Sequence, residues 1–191
     1  PGMVDYKGNT YLFYHNGALP GGGGFTRSVC VEQAEFNKDG SIVPLKMTAG
    51  IEKGLETLNP FRKTEAETIA FSEGMKASQN EKVGVFVNAM KDGAYIKVRD
   101  VDFREGGASR ITVRVGTTHN GGVTMEVRAD GREGRLLATL KVPMTGGDNR
   151  WALVSSEIER ITGVHDLYFI CKGNKPGRLM YFDYWMFCKW K

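Results

Sequence analysis

The sequence has few of the residues that build metal or disulfide scaffolds. It holds three cysteines and three histidines in 191 residues, and no two of these cysteines form a Cys-x-x-Cys pair. Structural zinc sites and disulfide frameworks both need such residues in numbers and at short spacing. Neither scaffold is therefore predicted, and Cys30, Cys171 and Cys188 are expected to be small buried hydrophobic residues.

Long apolar runs and an excess of one charge are also missing. No stretch approaches the roughly 20 apolar residues of a transmembrane helix. The formal net charge is +4, and lysines and arginines alternate with acids along the chain. We therefore expect neither a membrane nor a nucleic acid as a partner.

Recognisable catalytic motifs are absent as well. The glycine run at 21–24 lacks the spacing of a phosphate-binding loop and is expected to be a flexible turn. The three histidines are far apart in sequence, and carboxylates are too numerous for an acid and base pair to be chosen without geometry. The pattern alone assigns no catalytic centre.

The residues that are abundant favour an all-β chain. The 25 glycines and 10% aromatic residues are distributed over many short segments. Polar and apolar residues alternate regularly from Thr64 onward, for example at 111–115 and 123–128. This period of two, interrupted by turns, predicts a β-sandwich.

The first third of the chain has a different pattern. Strand-like runs lie at 10–14, 27–36 and 41–45, and they predict one small sheet. A sheet of three short strands cannot cover its own two faces and two edges, so it needs neighbours. Residues 46–63 lack a sustained period and are interpreted as a connecting segment.

Three carboxylates stand where a charge is costly. Glu65 and Glu67 fall on one side of a predicted strand, and Asp183 interrupts the run at 178–187, which is apolar on both faces. Like charges side by side repel, and a buried carboxylate needs a metal ion or an arginine. Oxygen ligands suit calcium. The alternative for the glutamates is two solvated side chains at the start of a strand.

Several aromatic residues lie on or near predicted strands, where most aromatic side chains belong to the core. They are Phe86, Tyr95, Trp151, Tyr181 and Trp185. Trp151 differs because it follows the polar, glycine-containing loop at 143–150. We expect its ring to face outward at the entrance of a strand.

Several motifs together carry a family resemblance. They are, in order, LNPFRKTEAETIAFSEG, DGAYIKVRDVDF, LLATLKVPMTGGDNRW, GVHDLYFICKG and LMYFDYWMF. Residues 64 to about 188 closely resemble a carbohydrate-binding module of family 6. The resemblance implies a jelly-roll β-sandwich that contains a structural calcium ion. It also implies that the module binds xylan or a related β-glycan. It implies calcium ligands at Glu65, Glu67 and Asp183 and sugar contacts at Phe86, Trp151 and Tyr181.

This sequence departs from the family pattern around the expected sugar site. Phe86 stands where the family usually has a tyrosine, and Ala94 replaces an aspartate that often precedes the aromatic strand residue. Tyr181 replaces an asparagine that orients the sugar, and Asp148 replaces a tryptophan. The departures imply a weakened site, or one that is suited to another glycan. We expect Trp151 to be the chief binding residue, with Phe86 opposing it across a slot.

The segment before residue 46 resembles the last strands of a glycoside hydrolase family 43 catalytic domain, a five-bladed β-propeller. The resemblance implies that His15 and Arg27 belong to the hydrolase pocket and that the catalytic carboxylates lie upstream of this chain. The expected domains are thus 1–45, part of a propeller, 46–63, a connection, and 64–191, the binding sandwich.

The resemblance implies a polysaccharide-binding chain that is inactive alone and works outside the cytoplasm, in the extracellular or periplasmic space. Its partner would be the missing propeller of an arabinofuranosidase or xylosidase. Two alternatives stay open: a fragment whose function is that of the parent enzyme, and a structural sandwich with an inactive cleft.

Overall fold

The computed structural model describes residues 1–18, 22–48, 51 and 55–190. All regular secondary structure in this part of the chain is β-strand. No helix that could cross a membrane is found among these residues. The chain divides into two compact units, Pro1–Leu55 and Glu56–Lys191.

The first unit contains one antiparallel sheet in the order β1-β2-β3. Its strands are β1 (Gly2–Tyr6), β2 (Asn9–Asn16) and β3 (Ser28–Ala34). Lys7 and Gly8 join β1 to β2, both with positive φ (50° and 78°), as a tight two-residue hairpin turn requires. The prediction of a strand at 41–45 was wrong, because this segment makes only an isolated bridge between Ile42 and Phe36. The sheet's remaining strand is instead β1, at the start of the chain.

The second unit is built from eleven strands. They are β4 (Thr64–Glu65), β5 (Phe71–Glu73), β6 (Met75–Asn80), β7 (Gly84–Ala89), β8 (Tyr95–Asp102), β9 (Ala108–Gly116), β10 (Thr124–Ala129), β11 (Arg135–Lys141), β12 (Ala152–Ile161), β13 (Val164–Lys172) and β14 (Met180–Lys189). Sheet B has the order β11-β10-β13-β8-β5. Sheet C has the order β12-β9-β14-β7-β6, with β4 pairing with β14.

Sheets B and C form a sandwich, which confirms the all-β prediction. The alternation predicted at 111–115 and 123–128 places one residue in two in the core, and Ile111, Val113 and Met125 are all fully buried. Aromatic rings bridge the two layers, because Phe169 of sheet B lies 5.2 Å from the Trp185 ring of sheet C, measured between centroids. The buried apolar surface between the layers stabilises the second unit.

A β-bulge in β14 sets the position of its aspartate. Along β14 the pairing with β9 shifts between Phe182 and Tyr184, so Asp183 is an extra residue opposite no partner. On the other side of β14, pairing with β7 ends at Phe182 and pairing with β4 begins at Tyr184. The bulge therefore lies where one neighbouring strand replaces another.

The cysteines differ in exposure more than expected. None of the three is in a disulfide, and Cys171 is buried, Cys30 is partly buried and Cys188 is exposed. Burial raises the pKa of the Cys171 thiol to about 12, so this side chain behaves as an apolar group. The expectation of burial is wrong for Cys188, which lies near the end of β14.

The segment just before β4 is part of the second unit. The backbone N–H of Leu58 donates to the Asp100 carbonyl at 2.8 Å, and the N–H of Phe187 donates to the Pro60 carbonyl at 2.8 Å. A chain shortened to begin at Glu56 should therefore fold by itself, because it keeps both contacts and the whole core. Circular dichroism and a cooperative thermal transition would check this, whereas an insoluble or unfolded product would contradict the boundary.

Candidate functional site

Three carboxylates, Glu65, Glu67 and Asp183, form what we name the carboxylate cluster. Glu65 pairs with Tyr184 across the β4–β14 ladder, and the Ala66 N–H donates to the Asp183 carbonyl at 2.8 Å. The bulge thus brings Asp183 beside the segment that carries both glutamates. The strand predicted through both glutamates ends at Glu65, and Glu67 lies in the turn that follows.

Two cations contact this cluster. Lys63 Nζ lies 2.6 Å from Glu65 Oε1, and Arg114 Nη1 donates to Asp183 Oδ2 at 3.0 Å. Asp183 is only 2% exposed, so an arginine supplies the counter-charge that the sequence required for it. Oε2 of Glu67 is buried and has no hydrogen-bond partner.

The environment disfavours the charge on two of the carboxylates. Burial raises the pKa of Asp183 above its ordinary value, although Arg114 opposes the shift. Burial also raises the pKa of Glu67, and the negative charges of Glu65 and Asp183 add to the effect. Within the described residues, no three His, Cys, Asp or Glu side chains converge closely enough to hold a metal ion as they stand.

The three residues expected to contact sugar form a second group, which we name the ring cluster. Trp151 packs edge-to-face against Phe86, with ring centroids 5.2 Å apart, and against Tyr181 at 5.5 Å. Phe86 and Tyr181 are buried, at 0% and 1% exposure. The expected slot between Phe86 and Trp151 is therefore wrong, because rings in contact leave no space for a sugar ring. Trp151 is half-buried.

The departures from the family pattern close the ring cluster. A Cβ atom at Gly116 would lie 2.8 Å from the Tyr181 ring, so the tyrosine fits because position 116 has no side chain. The Arg178 guanidinium lies 5.1 Å from the centre of the Tyr181 ring. Its Nη1 lies 3.5 Å from Oδ2 of Asp148. A tyrosine and an ion pair thus occupy positions where the family pattern has an asparagine and a tryptophan.

Sequence analysis missed a row of aromatic rings on the outer face of sheet B, the sheet-face row. It consists of Phe71, Tyr95 and Tyr168. Ring centroids are 6.2 Å apart between Phe71 and Tyr95 and 5.9 Å apart between Tyr95 and Tyr168. Phe71 is 49% exposed, Tyr168 is partly buried and Tyr95 is buried, with 8% exposed. The alternation along β8 could have indicated this row. Ile96 and Val98 point into the core, so Tyr95, at the alternate position, lies on the opposite face of the sheet.

Charged side chains surround the sheet-face row. The Arg132 guanidinium lies 4.7 Å from the centre of the Tyr95 ring, and Lys97 Nζ lies 5.6 Å from the centre of the Tyr168 ring. Lys97 also pairs with Asp166 at 2.7 Å. The row therefore combines apolar ring surface with hydrogen-bond donors and acceptors, and a sugar needs both for binding.

His15 and Arg27, expected from the hydrolase resemblance, are brought together in the first unit. Arg27 Nη1 lies 2.6 Å from His15 Nε2, and Arg27 Nε donates to the Gly24 carbonyl at 2.8 Å. A guanidinium can only donate, so Nε2 is the acceptor in this contact. Both side chains are exposed.

The sequence profile of the family described as "Carbohydrate binding module (family 6)" matches residues 65–189. The chain belongs to this family. Its matched residues coincide with the sandwich of sheets B and C and contain the ring cluster, the sheet-face row and the carboxylate cluster.

One relative of the family 6 chain is the arabinoxylan arabinofuranohydrolase of Bacillus subtilis (strain 168). The two are 34% identical over 97% of this chain and 37% of the relative. A crystal structure of a glycoside hydrolase family 43 arabinoxylan arabinofuranohydrolase from Bacillus subtilis, in complex with cellotetraose, has a TM-score of 0.85 and 34% identity. It covers 98% of this chain and 40% of that one. The chain thus spans less than half of either protein.

Two isolated modules are also similar. A family 6 module from Clostridium cellulolyticum, solved with xylose, is 26% identical, with a TM-score of 0.64 over 69% of this chain and all of that one. A family 36 module solved with calcium and xylotriose is 15% identical, with a TM-score of 0.52 over 67% of this chain and all of that one. At 15% identity the second likeness shows the fold alone.

Proposed function

We propose that the family 6 module binds xylan or arabinoxylan and holds a linked glycoside hydrolase on plant cell-wall polysaccharide. The relatives named for arabinoxylan and the related module solved with xylose support this ligand class. The observation that carries the proposal is the sheet-face row, whose Phe71 ring is exposed beside the partly buried Tyr168 and the buried Tyr95, within a carbohydrate-binding fold. Rings exposed on one face can cover the C–H faces of sugar residues while the sugar hydroxyls stay hydrated.

Two surfaces of the module are candidates for the contact. The geometry favours the sheet-face row, because Phe71 is half exposed and the row runs across three neighbouring strands. The second candidate is the ring cluster, where Trp151 would present its exposed part to the sugar while Phe86 and Tyr181 support it from below. The sealed packing of this cluster argues against a bound sugar ring there.

Affinity electrophoresis in soluble arabinoxylan tests the proposal. The native chain should be retarded relative to its mobility without polysaccharide, and relative to the same gel with an α-glucan such as starch. Equal mobility in all three gels would instead support the alternative of a structural sandwich that binds no glycan.

We also propose that the carboxylate cluster binds a structural calcium ion. In support, an oxygen of Glu67 is buried without a hydrogen-bond partner, and the charges of Glu65 and Asp183 act on this group; the three side chains would have to move closer together to share one ion. Hard oxygen donors are the ligands that calcium prefers. When bound, the ion would supply positive charge that links the β4 segment to the bulge in β14.

Removing calcium should lower the melting temperature of the native chain, because an ion that binds only the folded state stabilises it by mass action. At a calcium concentration about 100 times Kd the stabilisation is about 2.7 kcal/mol, or roughly 10 °C in a domain of this size. Glu67→Gln should melt at the same temperature with and without a chelator. An unchanged native melting curve after exhaustive chelation would count against the ion.

For the first unit, we propose that Pro1–Leu55 is the closing part of a family 43 propeller whose other strands and catalytic carboxylates belong to the rest of the parent enzyme. The contact between His15 and Arg27 then belongs to that enzyme's sugar pocket. The parent's activity would be that of an arabinofuranosidase or xylosidase, and the chain alone should not turn over aryl arabinosides or xylosides. Because such polysaccharides lie outside the cell, we propose that the protein works in the extracellular or periplasmic space.

A further inference from the structure

We propose that the sheet-face row selects a xylan that carries uronic acid side groups, and that Arg132 binds the carboxylates of these groups. Arg132 lies in the turn at 130–134, between β10 and β11. The inference deepens the proposed function, because it rests on glycan binding at the sheet-face row and names the substituent that the row recognises.

The position of Arg132 determines what a ligand meets above Tyr95. The turn that carries Arg132 joins β10 to β11, yet its guanidinium lies 4.7 Å from the centre of the Tyr95 ring on β8, beyond the intervening strand β13. Tyr95 is only 8% exposed, whereas the Arg132 side chain is 48% exposed. A ligand at this point of the row therefore contacts a cation rather than a tyrosine ring.

The Arg132 guanidinium keeps its hydrogen-bond donors for a ligand. Within the described part of the chain, its one acidic neighbour is Glu73, whose Oε2 lies 3.8 Å from Nη1, too far for a hydrogen bond. Glu73 is instead held by Lys91 at 2.8 Å, and this hydrogen bond is the main reason why the pKa of Glu73 is lowered. A planar guanidinium with free donors binds a carboxylate through two parallel N–H bonds.

Two further lysines add positive charge to the same face of sheet B. Lys141 and Lys172 both lie opposite Thr124 in the ladders of β10 with β11 and β13, so their side chains share one side of the sheet. Lys172 is four residues from Tyr168 along β13, and because side chains alternate with a period of two, this is the side of the sheet-face row. Acids on these strands already have partners, namely Glu126 with Arg128 at 2.8 Å and Asp166 with Lys97 at 2.7 Å.

This charge distribution fits an acidic glycan better than a neutral one. Xylose and arabinose carry only hydroxyl groups, which leave a positive face without counter-charge, whereas a uronic acid side group supplies a carboxylate. Phe71 and Arg132 both contact the Tyr95 ring, so one short stretch of glycan can reach both. Phe71 would then cover a backbone xylose while Arg132 binds the side group.

Isothermal titration tests the selection with two xylotetraoses that differ by one uronic acid branch. The native chain should bind the acidic oligosaccharide about tenfold more tightly than the unsubstituted one, as a hydrogen-bonded charge pair contributes. Arg132→Gln should lose this preference and keep the native affinity for the unsubstituted oligosaccharide, since only the carboxylate contact is removed. Short ligands also avoid the general attraction between a basic protein and a charged polymer.

Arg110→Gln is the matched control, because it removes the same charge from the other layer of the sandwich. Arg110 lies on β9 of sheet C and is 53% exposed, and its variant should keep the tenfold preference. Arg132→Lys should keep only part of it, because lysine retains the charge but not the paired donors. An equal loss of preference in Arg110→Gln and Arg132→Gln would overturn the role of Arg132.

The failures of this inference and of the proposed function are distinguishable. If the native chain binds both xylotetraoses equally, the selection of uronate is overturned and xylan binding stands. If the chain binds neither oligosaccharide and is not retarded by arabinoxylan, the proposed function is refuted and the selection with it. Tighter binding of trigalacturonate, a uronate chain without xylose, than of the acidic xylotetraose would overturn the assignment to xylan.

Discussion

Phe71→Ala is expected to weaken binding to soluble arabinoxylan about thirtyfold without lowering the melting temperature by more than a few degrees. The phenyl ring is 49% exposed at the edge strand of sheet B, so its loss opens no core cavity. If the ring covers roughly 80 Å² of sugar surface at about 25 cal/mol per Å², it contributes about 2 kcal/mol to binding. Affinity electrophoresis or calorimetry measures the loss.

Leu153→Ala is the matched control for this variant. Leu153 is 64% exposed and lies on β12 of sheet C, on the other layer of the sandwich. It should leave the affinity unchanged, which separates a specific ring contact from general surface hydrophobicity. Native affinity in Phe71→Ala would remove the sheet-face row from consideration.

Trp151→Ala is expected to have the opposite profile, with a large loss of stability and little change in affinity. The indole packs against two buried rings and carries the Arg114 guanidinium over its face. Removing a large ring from such a contact costs about 3 kcal/mol of the free energy of unfolding. Thermal or denaturant unfolding measures this loss.

Trp151→Phe should recover much of that stability, because phenylalanine keeps an aromatic ring against Phe86 and Tyr181. The decisive outcome concerns binding. If Trp151→Ala kept the native melting temperature and lost all retardation by arabinoxylan, the ring cluster would be the sugar site and Trp151 its chief contact, as the family pattern implies.

Local pattern was enough to predict the sandwich. The alternation at 111–115 and 123–128 depends only on which face each side chain takes, and the burial of Ile111, Val113 and Met125 follows from it. The prediction of a strand at 41–45 failed because a short run with β-branched residues resembles a strand even where it makes only one isolated bridge. The hairpin of β1 and β2 was missed, although Lys7 and Gly8 form its turn.

The sites were harder to predict, because they depend on contacts between distant parts of the chain. Sequence identified the residues of the ring cluster but not that Tyr181 fills its space, which depends on the absence of a side chain at Gly116. It identified Asp183 as needing a partner and left open whether this would be an arginine or a metal. Arg114 could be identified as the partner of Asp183 only from the structure, in which β9 and β14 pair.

The bulge in β14 also absorbs one extra residue without changing which side of the strand each later residue shows. Beyond the bulge, Trp185 and Phe187 face the interior, while Tyr184 and Met186 lie on the outer side. Because side chains alternate with a period of two, one extra residue in a regular strand would turn Trp185 and Phe187 toward water, and the bulge prevents this by leaving Asp183 out of the pairing with β9. Position 183 thus has a backbone role that is separate from its charge. Its backbone carbonyl accepts the Ala66 N–H at 2.8 Å, a contact that a substitution keeps and a deletion removes.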